Sequence, residues 1–261
     1  MSYLRDRAIV LKNEPFREHD CWLTLYGFTY GKLIAVARGV RRLDAKHLGH
    51  VEPFTEIEVM IAQGQAFDKL AVATTVQTRL HLRERLGSLV IGGAITSLVE
   101  RLTQPGSSDP VLYALLQELL DFVEKLPTEP TPERARLLIA ASTLRLLDLL
   151  GYALQLEACL FCQQPLIEPV WFVPPSGGMA CEGCMRDKRR ELPQAVALPP
   201  QTIRLLRFVR QTDLTTISRV TVSTVLLYAM CQVVDRWVEH HAPFVSRQVR
   251  HYDPVSLLQV L

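Results

Sequence analysis

The sequence has no hydrophobic run long enough to span a membrane. Its most apolar window, Leu137–Leu150, has 14 residues and includes Arg145 and Asp148, whereas a membrane helix needs about 20 predominantly apolar residues. Three charged residues precede any apolar segment at the start of the chain, so the pattern of an export signal is missing. These absences predict a cytoplasmic protein without a membrane partner, associated with the nucleoid if it binds DNA.

An excess of either charge is also missing. The 29 lysines and arginines oppose 27 aspartates and glutamates, for a net charge of +2. Binding to nucleic acid therefore requires a local basic cluster, because the total charge does not predict it. An apolar content of 48% excludes a mainly disordered chain, and 261 residues favour more than one compact unit.

The usual motifs of catalysis are absent. The segment Gly27–Leu33 resembles a phosphate-binding loop, but it has three residues between its glycines where four are needed, and Leu33 replaces the Ser or Thr that holds magnesium. GxSxG, HExxH and GxGxxG do not occur, and the histidines lack metal-ligand spacing. We therefore predict a hairpin turn at this segment and neither enzymatic turnover nor a small-molecule substrate.

Short apolar runs with period-two alternation, broken by Gly and Pro, fill the first part of the chain. They predict five strands, at Ala8–Leu11, Trp22–Tyr26, Leu33–Ala37, Glu56–Ile61 and Leu70–Val76. Five short strands favour an OB-type β-barrel, although SH3-like barrels have the same number of strands. The predicted OB-fold domain covers residues 1–80.

The pattern after Thr78 changes to the apolar spacing of helices. Asp109-Pro110 and Thr131-Pro132 have the form of an N-cap followed by proline, and each predicts the start of a helix. The fold class is therefore an α+β multidomain protein. Its helical domain has a first part at residues 81–155 and a second part at 194–261, with a small module at 156–193 inserted between them.

Four cysteines in this module form two Cys-x-x-Cys pairs that are 18 residues apart: Cys159, Cys162, Cys181 and Cys184. The spacing is typical of a structural zinc site, in which four thiolates leave no open coordination position. A redox dithiol, an iron–sulfur or rubredoxin-like iron site and four unliganded cysteines remain alternatives. In many zinc knuckles a glycine follows the cysteine pair and allows the tight turn. Here Gln163 and Met185 follow the two pairs instead.

A first basic cluster lies on and after the third predicted strand, opposed only by Asp44. We predict that it contacts DNA phosphates, beside exposed rings on which bases could stack. A solvated loop without function is the alternative. The cluster consists of Lys32, Arg38, Arg41, Arg42 and Lys46, and the candidate rings are Phe16, Trp22, Phe28, Tyr30 and Phe54.

A second basic cluster directly follows the last module cysteine: Arg186, Lys188, Arg189 and Arg190. Three further arginines, Arg204, Arg207 and Arg210, fall on one stripe of the next predicted helix. Together they could extend a phosphate path away from the module. A surface that is merely solvated explains them equally well.

The order of several N-terminal segments resembles the RecO family of recombination mediators. The segments are Ala8–Lys12, Glu18–Asp20, Trp22–Leu25, Gly31-Lys32, Ala37–Arg42 and Glu52–Phe54. The likeness continues through the helical middle and both cysteine pairs. It implies an OB domain, a helical domain and an embedded zinc module, with the basic N-terminal surface at Lys32, Arg38, Arg41 and Arg42.

The resemblance also implies function. Such proteins bind single- and double-stranded DNA, anneal complementary strands, and act with RecR to load RecA onto DNA coated by single-stranded-DNA-binding protein. It suggests that this coating protein docks on the C-terminal helices, where Ile203, Arg204, Arg207 and Phe208 are candidates. A zinc-ribbon interaction scaffold that does not bind DNA is the competing hypothesis.

Overall fold

The chain folds into two compact units. The computed structural model describes residues 2–42 and 49–241, and the units comprise Met1–Glu129 and Pro130–Leu261. The first unit contains five strands and three helices, and the second contains a small three-stranded sheet and five helices within the described residues. The predicted division at residues 80, 155 and 193 stays a prediction.

The five predicted strands are all present and form one sheet: β1 (Tyr3–Pro15), β2 (Cys21–Gly27), β3 (Gly31–Ala37), β4 (Glu56–Ala62) and β5 (Lys69–Gln77). They hydrogen bond in the closed order β1-β2-β3-β5-β4, with β4 returning to β1. All pairs are antiparallel except β3 with β5, which meet at Val36 and Lys69. A five-stranded sheet followed by helices is therefore confirmed, and its assignment to the OB type stays a prediction.

The strand β1 is much longer than its four predicted residues because it pairs along both edges. Ala8 lies opposite Gly27 of β2 and also opposite Ile57 of β4. Alternate side chains of each strand fill the interior of the sheet. This core comprises Ala8, Val10, Cys21, Leu23, Leu25, Ala35, Ala37, Val40, Val51, Ile57, Val59, Ile61 and Ala73.

The segment that resembles a phosphate loop is the predicted hairpin turn. Gly27 and Gly31 pair across it. The carboxylate of Asp6 accepts the backbone N–H groups of Thr29 and Tyr30, each at 3.0 Å. A Cβ on Gly27 would lie 2.1 Å from Oδ2 of Asp6. In a phosphate loop, backbone N–H groups such as these donate hydrogen bonds to the ligand. Here they donate to the carboxylate of Asp6 instead.

Three helices complete the first unit: α1 (Leu80–Glu84), α2 (Leu86–Leu102) and α3 (Pro110–Glu124). The predicted N-cap at Asp109 is confirmed, because its carboxylate accepts the N–H groups of Val111 and Leu112. Pro110 occupies the first helical position, where its missing N–H costs nothing.

The second unit begins with α4 (Pro132–Leu149), which is capped by Thr131 as predicted. The cysteine module follows, with β6 (Val170–Val173), β7 (Gly178–Cys181), α5 (Glu182–Lys188) and β8 (Val196–Ala197) in the sheet order β7-β6-β8. The chain then forms α6 (Thr202–Gln211), α7 (Leu214–Ile217) and α8 (Thr224–His241). No helix in the described residues is long and apolar enough to cross a membrane.

A buried polar network joins the sheet to α3 inside the first unit. The side chains of Arg79 and Glu56 are both fully buried. The guanidinium of Arg79 lies 2.7 Å from the carboxylate of Asp121 and donates to the carbonyl of Phe54. Burial raises the pKa of Tyr113, whose hydroxyl donates to Glu56 at 2.8 Å. Because isolated buried charges are very costly, these partners must all be in place together.

We expect Arg79→Met to destabilise the first unit by about 3 kcal/mol, because it leaves the partly buried carboxylate of Asp121 without its cation and the carbonyl of Phe54 without its donor, whereas Glu56 keeps Arg7. Urea denaturation followed by circular dichroism measures the change. The exposed Arg38→Ala is the control and should stay within about 0.5 kcal/mol of the parent protein. A loss below about 1 kcal/mol for Arg79→Met would contradict this role.

Candidate functional site

The four predicted ligand cysteines meet at one point. Their sulfur atoms all lie within 4.8 Å of one another, and Sγ of Cys162 is 3.8 Å from Sγ of Cys181. The first pair lies on a turn between α4 and β6, whereas Cys181 ends β7 and Cys184 lies in α5. Two separate segments therefore bring two thiols each to the cluster.

The turn of the first pair explains how the module forms without the expected glycine. The N–H of Gln163 donates to the carbonyl of Cys159 at 3.0 Å. Gln163 takes a φ of 58°, the left-handed conformation that glycine usually supplies. The second pair needs no such residue because Met185 continues α5 and is buried against Cys159.

Hydrogen bonds favour a thiolate at Cys159. Burial raises the pKa of its thiol, but backbone N–H groups of Cys162, Cys181 and Phe161 outweigh burial and lower the pKa to about 6. The hydrogen bond with Cys181, together with burial, raises the pKa of Cys184 to about 12. Because like charges repel at this distance, four thiolates can coexist here only around a cation.

The sulfur positions fit a tetrahedral metal ion. Metal–sulfur bonds of about 2.3 Å place the corners of a tetrahedron about 3.8 Å apart, which matches the spacing of Cys162 and Cys181. Four protein ligands would leave no position for water or substrate, so such an ion would have a structural role. Iron has similar bond lengths, and the geometry does not identify the metal.

Trp237 of α8 anchors the module within the second unit. Its indole N–H donates to the carbonyl of Tyr152 at 2.8 Å. Its ring covers Gly177, where a Cβ would lie 1.9 Å from the ring and where φ is 61°. Glycine is therefore required at this position for two separate reasons.

The first basic cluster is presented by a fixed turn. This turn, at residues 38–42, is hydrogen bonded to the loop at 16–20. The N–H of Gly39 donates to the carboxylate of Asp20 at 2.8 Å, and the N–H of Arg41 donates to the carbonyl of His19 at 3.0 Å. The side chains of Arg38, Arg41 and Arg42 are exposed. Lys46, the last residue of the predicted cluster, lies outside the described residues.

Lys32 has a different environment from the one predicted. Its ammonium donates to the carbonyls of Glu100 and Thr103 at 2.6 and 3.1 Å, at the C-terminal end of α2. Burial lowers the pKa of Lys32, and the charge of Glu100 partly offsets that effect. Two carbonyls accept two of the three ammonium N–H groups, so Lys32 stabilises the end of α2, and its predicted phosphate contact stays a prediction.

The second basic cluster surrounds aromatic rings of the module. The guanidinium of Arg189 lies 4.9 Å from the ring centre of Trp171, and the ammonium of Lys188 lies 5.2 Å from that of Phe161. Arg186 and Arg190 are exposed. The predicted cations thus share one module, and two of them contact rings.

Two of the three arginines in the predicted stripe on α6 make contacts within the second unit. Arg207 donates to the carbonyl of Leu156, and Arg210 pairs with Asp148 at 2.7 Å. Ile203, predicted to contact a partner, is buried with 4% of its surface exposed. Arg204 and Phe208 remain exposed on this helix and are the usable part of the predicted partner site.

The candidate rings separate into different environments. Phe54 is buried, and Phe28 packs edge-on against Tyr113 at 5.6 Å. Phe16 and Trp22 form a half-buried group with Phe67, a residue that the sequence prediction missed. Phe67 lies in the loop between β4 and β5, where no periodic pattern indicates its position.

These features define a class: a protein with a five-stranded sheet, a helical region, a cluster of four cysteines that could hold a metal ion, and exposed basic surfaces. Family models agree over nearly the whole chain. The model described as Recombination protein O N terminal matches residues 1–79, and that described as Recombination protein O C terminal matches residues 83–248. The chain belongs to the recombination protein O family.

Similar proteins from several organisms are named DNA repair protein RecO. The one from Pelotomaculum thermopropionicum is 32% identical over 71% of this chain and 70% of its own length. That from a Thermoanaerobacter species is 25% identical over 92% and 93%, and that from Geobacter sulfurreducens is 29% identical over 79% and 80%. The resemblance found in the sequence is thereby confirmed.

We expect Gly177→Ala to destabilise the cysteine module by more than about 1 kcal/mol, through backbone strain and overlap with Trp237. Protease sensitivity of the segment at 156–193 measures the effect. Gly183→Ala is the matched control, because a Cβ there meets nothing within 4 Å and the position is helical. Equal sensitivity of the two variants would contradict the anchoring role.

Proposed function

We propose that this protein binds single- and double-stranded DNA in recombination and repair. The observation that carries the proposal is the fixed turn with exposed Arg38, Arg41 and Arg42, which suits contact with phosphates. Membership of the recombination protein O family supports it. The closed order of the five strands supports an OB-type barrel. In such a barrel β2, β3 and the adjacent loops would form the surface that binds DNA.

The proposed activity is strand annealing and mediation. The protein anneals complementary strands and, with RecR, helps load RecA onto DNA coated by single-stranded-DNA-binding protein. Two basic surfaces, one in each unit, would let one chain hold two strands: the arginine turn of the first unit and Arg186–Arg190 of the module. Binding alone suffices for this role, so we propose no enzymatic turnover and no nucleotide requirement.

For the coating protein we propose a contact with α6. Arg204 and Phe208 are four residues apart and therefore lie on the same exposed face. A cation beside a ring suits an acidic tail that ends in apolar residues. The proposed site is smaller than the sequence predicted, since Ile203 and Arg207 contribute to the packing of the second unit.

For the four cysteines we propose one structural zinc ion. Thiolate ligands favour zinc over hard cations, and a site with four protein ligands supports a small module that has few apolar residues of its own. When bound, zinc would replace the thiol protons and hold the two segments together. The protein's own residues supply the turn at Gln163 and the helix start at Cys181.

Purified protein should contain one zinc ion per chain by elemental analysis. Cys181→Ser should lose the metal and become protease-sensitive at 156–193, because metal binding contributes to folding of the module. Cys231→Ala, outside the cluster, is the control and should keep the metal. Iron in place of zinc, or metal well below one ion per chain, would refute the zinc proposal.

Replacing Arg38, Arg41 and Arg42 by alanine should weaken DNA binding and change its dependence on salt. Each phosphate contact contributes about 0.7 to the slope of log affinity against log salt on single strands, so the slope should flatten by about 2. The loss should be similar for all sequences, because phosphate contacts carry no base information. Fluorescence anisotropy of a labelled oligonucleotide at several salt concentrations measures both quantities.

The matched control is a second triple variant at exposed cations elsewhere, namely Lys125, Arg219 and Arg236. It removes the same total charge, so an equal change in slope would show that net charge alone matters. An unchanged slope in the first variant would remove the arginine turn from the proposed surface. Complete absence of oligonucleotide binding by the parent protein would favour the interaction scaffold.

A further inference from the structure

Three aromatic side chains from separate segments form one group on the first unit. Phe16 follows the end of β1, Trp22 lies on β2, and Phe67 lies between β4 and β5. Ring centres are 4.9 Å apart for Phe16 and Trp22, and 5.8 Å apart for Trp22 and Phe67. The planes are tilted or edge-on, so each ring supports the next.

This group does not belong to the core of the sheet. Cys21, Leu23 and Leu25 of β2 point into the core, so by alternation Trp22 points outward. All three rings are only partly buried. Trp22 thus lies on the outer face of the sheet, and Phe16 and Phe67 pack against it from the adjoining loops.

Positive charge adjoins the rings. The guanidinium of Arg17 lies 5.0 Å from the ring centre of Phe16. The loop at 16–20 is hydrogen bonded to the turn that carries Arg38 and Arg41. If the phosphates of a DNA strand contact Arg17, Arg38 and Arg41, the bases of that strand therefore lie close to the three rings.

Three nearby carboxylates have partners of their own, whereas the side chain of Glu18, in the loop at 16–20, is 88% exposed and lies 3.9 Å from His19. Glu14, which lies opposite Trp22, pairs with Lys12 at 2.8 Å. Asp20 accepts from the N–H of Gly39, and Asp68 accepts from the N–H of Gly64. The cation of Lys12 offsets the charge of Glu14, whereas the two N–H groups orient the carboxylates of Asp20 and Asp68 and leave them charged, so the arginines must outweigh these carboxylates to attract phosphates.

We propose that Phe16, Trp22 and Phe67 form a stacking platform for unpaired bases of single-stranded DNA. The platform rests on the proposed DNA binding and adds selectivity to it. Every base has a flat face that can stack on an aromatic ring, so such contacts tolerate any sequence. In a duplex those faces are covered by neighbouring base pairs, so only unpaired strands gain from the platform.

The test compares Trp22→Leu and Phe67→Leu on a thymine oligonucleotide and on a duplex of the same length. Leucine keeps apolar volume but removes the stacking face. Each variant should bind the single strand about five- to a hundredfold more weakly, with duplex affinity within about twofold. The salt slope should be unchanged, because no phosphate contact is removed.

Tyr3→Leu is the matched control. Tyr3 is an exposed ring of the same unit on β1 and lies outside the group, so its loss should alter neither affinity. Melting temperatures of all variants exclude a general loss of fold. Trp22→Phe keeps a ring and should therefore retain most of the affinity.

Fluorescence supplies an independent measurement in the unaltered chain. The thymine strand should quench tryptophan emission on binding, and Trp22→Phe should lose the part of that quenching that comes from Trp22 while it still binds; Trp171, which contacts Arg189, can supply the remainder. Equal losses on single strand and duplex, or unchanged single-strand affinity in both leucine variants, would overturn the platform. Such results would leave the salt-dependent binding intact, whereas a parent protein without any DNA affinity would overturn the proposed function as well.

Discussion

The buried charge of Arg79 is the constraint on which the first unit depends. A guanidinium without solvent must find acceptors in fixed positions, and it finds them in Asp121 and the carbonyl of Phe54. The partners on α3, Tyr113, Gln117 and Asp121, recur every four residues and so form one polar stripe. Rotation of α3 or a slip in the register of β4 would leave Glu56 or Arg79 unpaired. The network therefore fixes the sheet and helix relative to each other more sharply than apolar packing could.

The sequence predicted those elements whose signals are local. Five strands followed from period-two alternation, and two helix starts followed from Asp109 and Thr131 with their prolines. The predicted β1 was too short because its outer residues are ordered by pairing with both β2 and β4, a contact between distant segments. The same limitation applies to Lys32: its neighbours in sequence look like a phosphate surface, whereas its acceptors lie about 70 residues away on α2.

The same distinction applies to the candidate sites: features set by neighbouring residues could be predicted, and features set by contacts between distant segments could not. Two cysteine pairs could be recognised from spacing, since each pair occupies a single turn. The missing glycines were misleading, because Gln163 adopts the required backbone conformation and Met185 continues a helix. Helical spacing placed Ile203 and Arg207 on one predicted face without showing that Ile203 is buried and that Arg207 donates to the carbonyl of Leu156. Phe67 could not be found at all, since only the closed sheet brings its loop to Trp22.

Exposed arginines and aromatic rings would contribute differently to DNA binding: arginines to affinity for phosphates, and rings to selectivity for unpaired bases. Phosphates occur on single strands and duplexes alike, so the proposed contact with the arginine turn would attract both without discriminating between them. The proposed role on single strands requires that the protein choose them in the presence of abundant duplex DNA. Counterion release cannot supply this choice, because a duplex carries the higher charge density and binds cations more strongly. Selectivity for unpaired strands must therefore come from contacts to the bases, and on the first unit the group of Phe16, Trp22 and Phe67 offers the apolar faces for them.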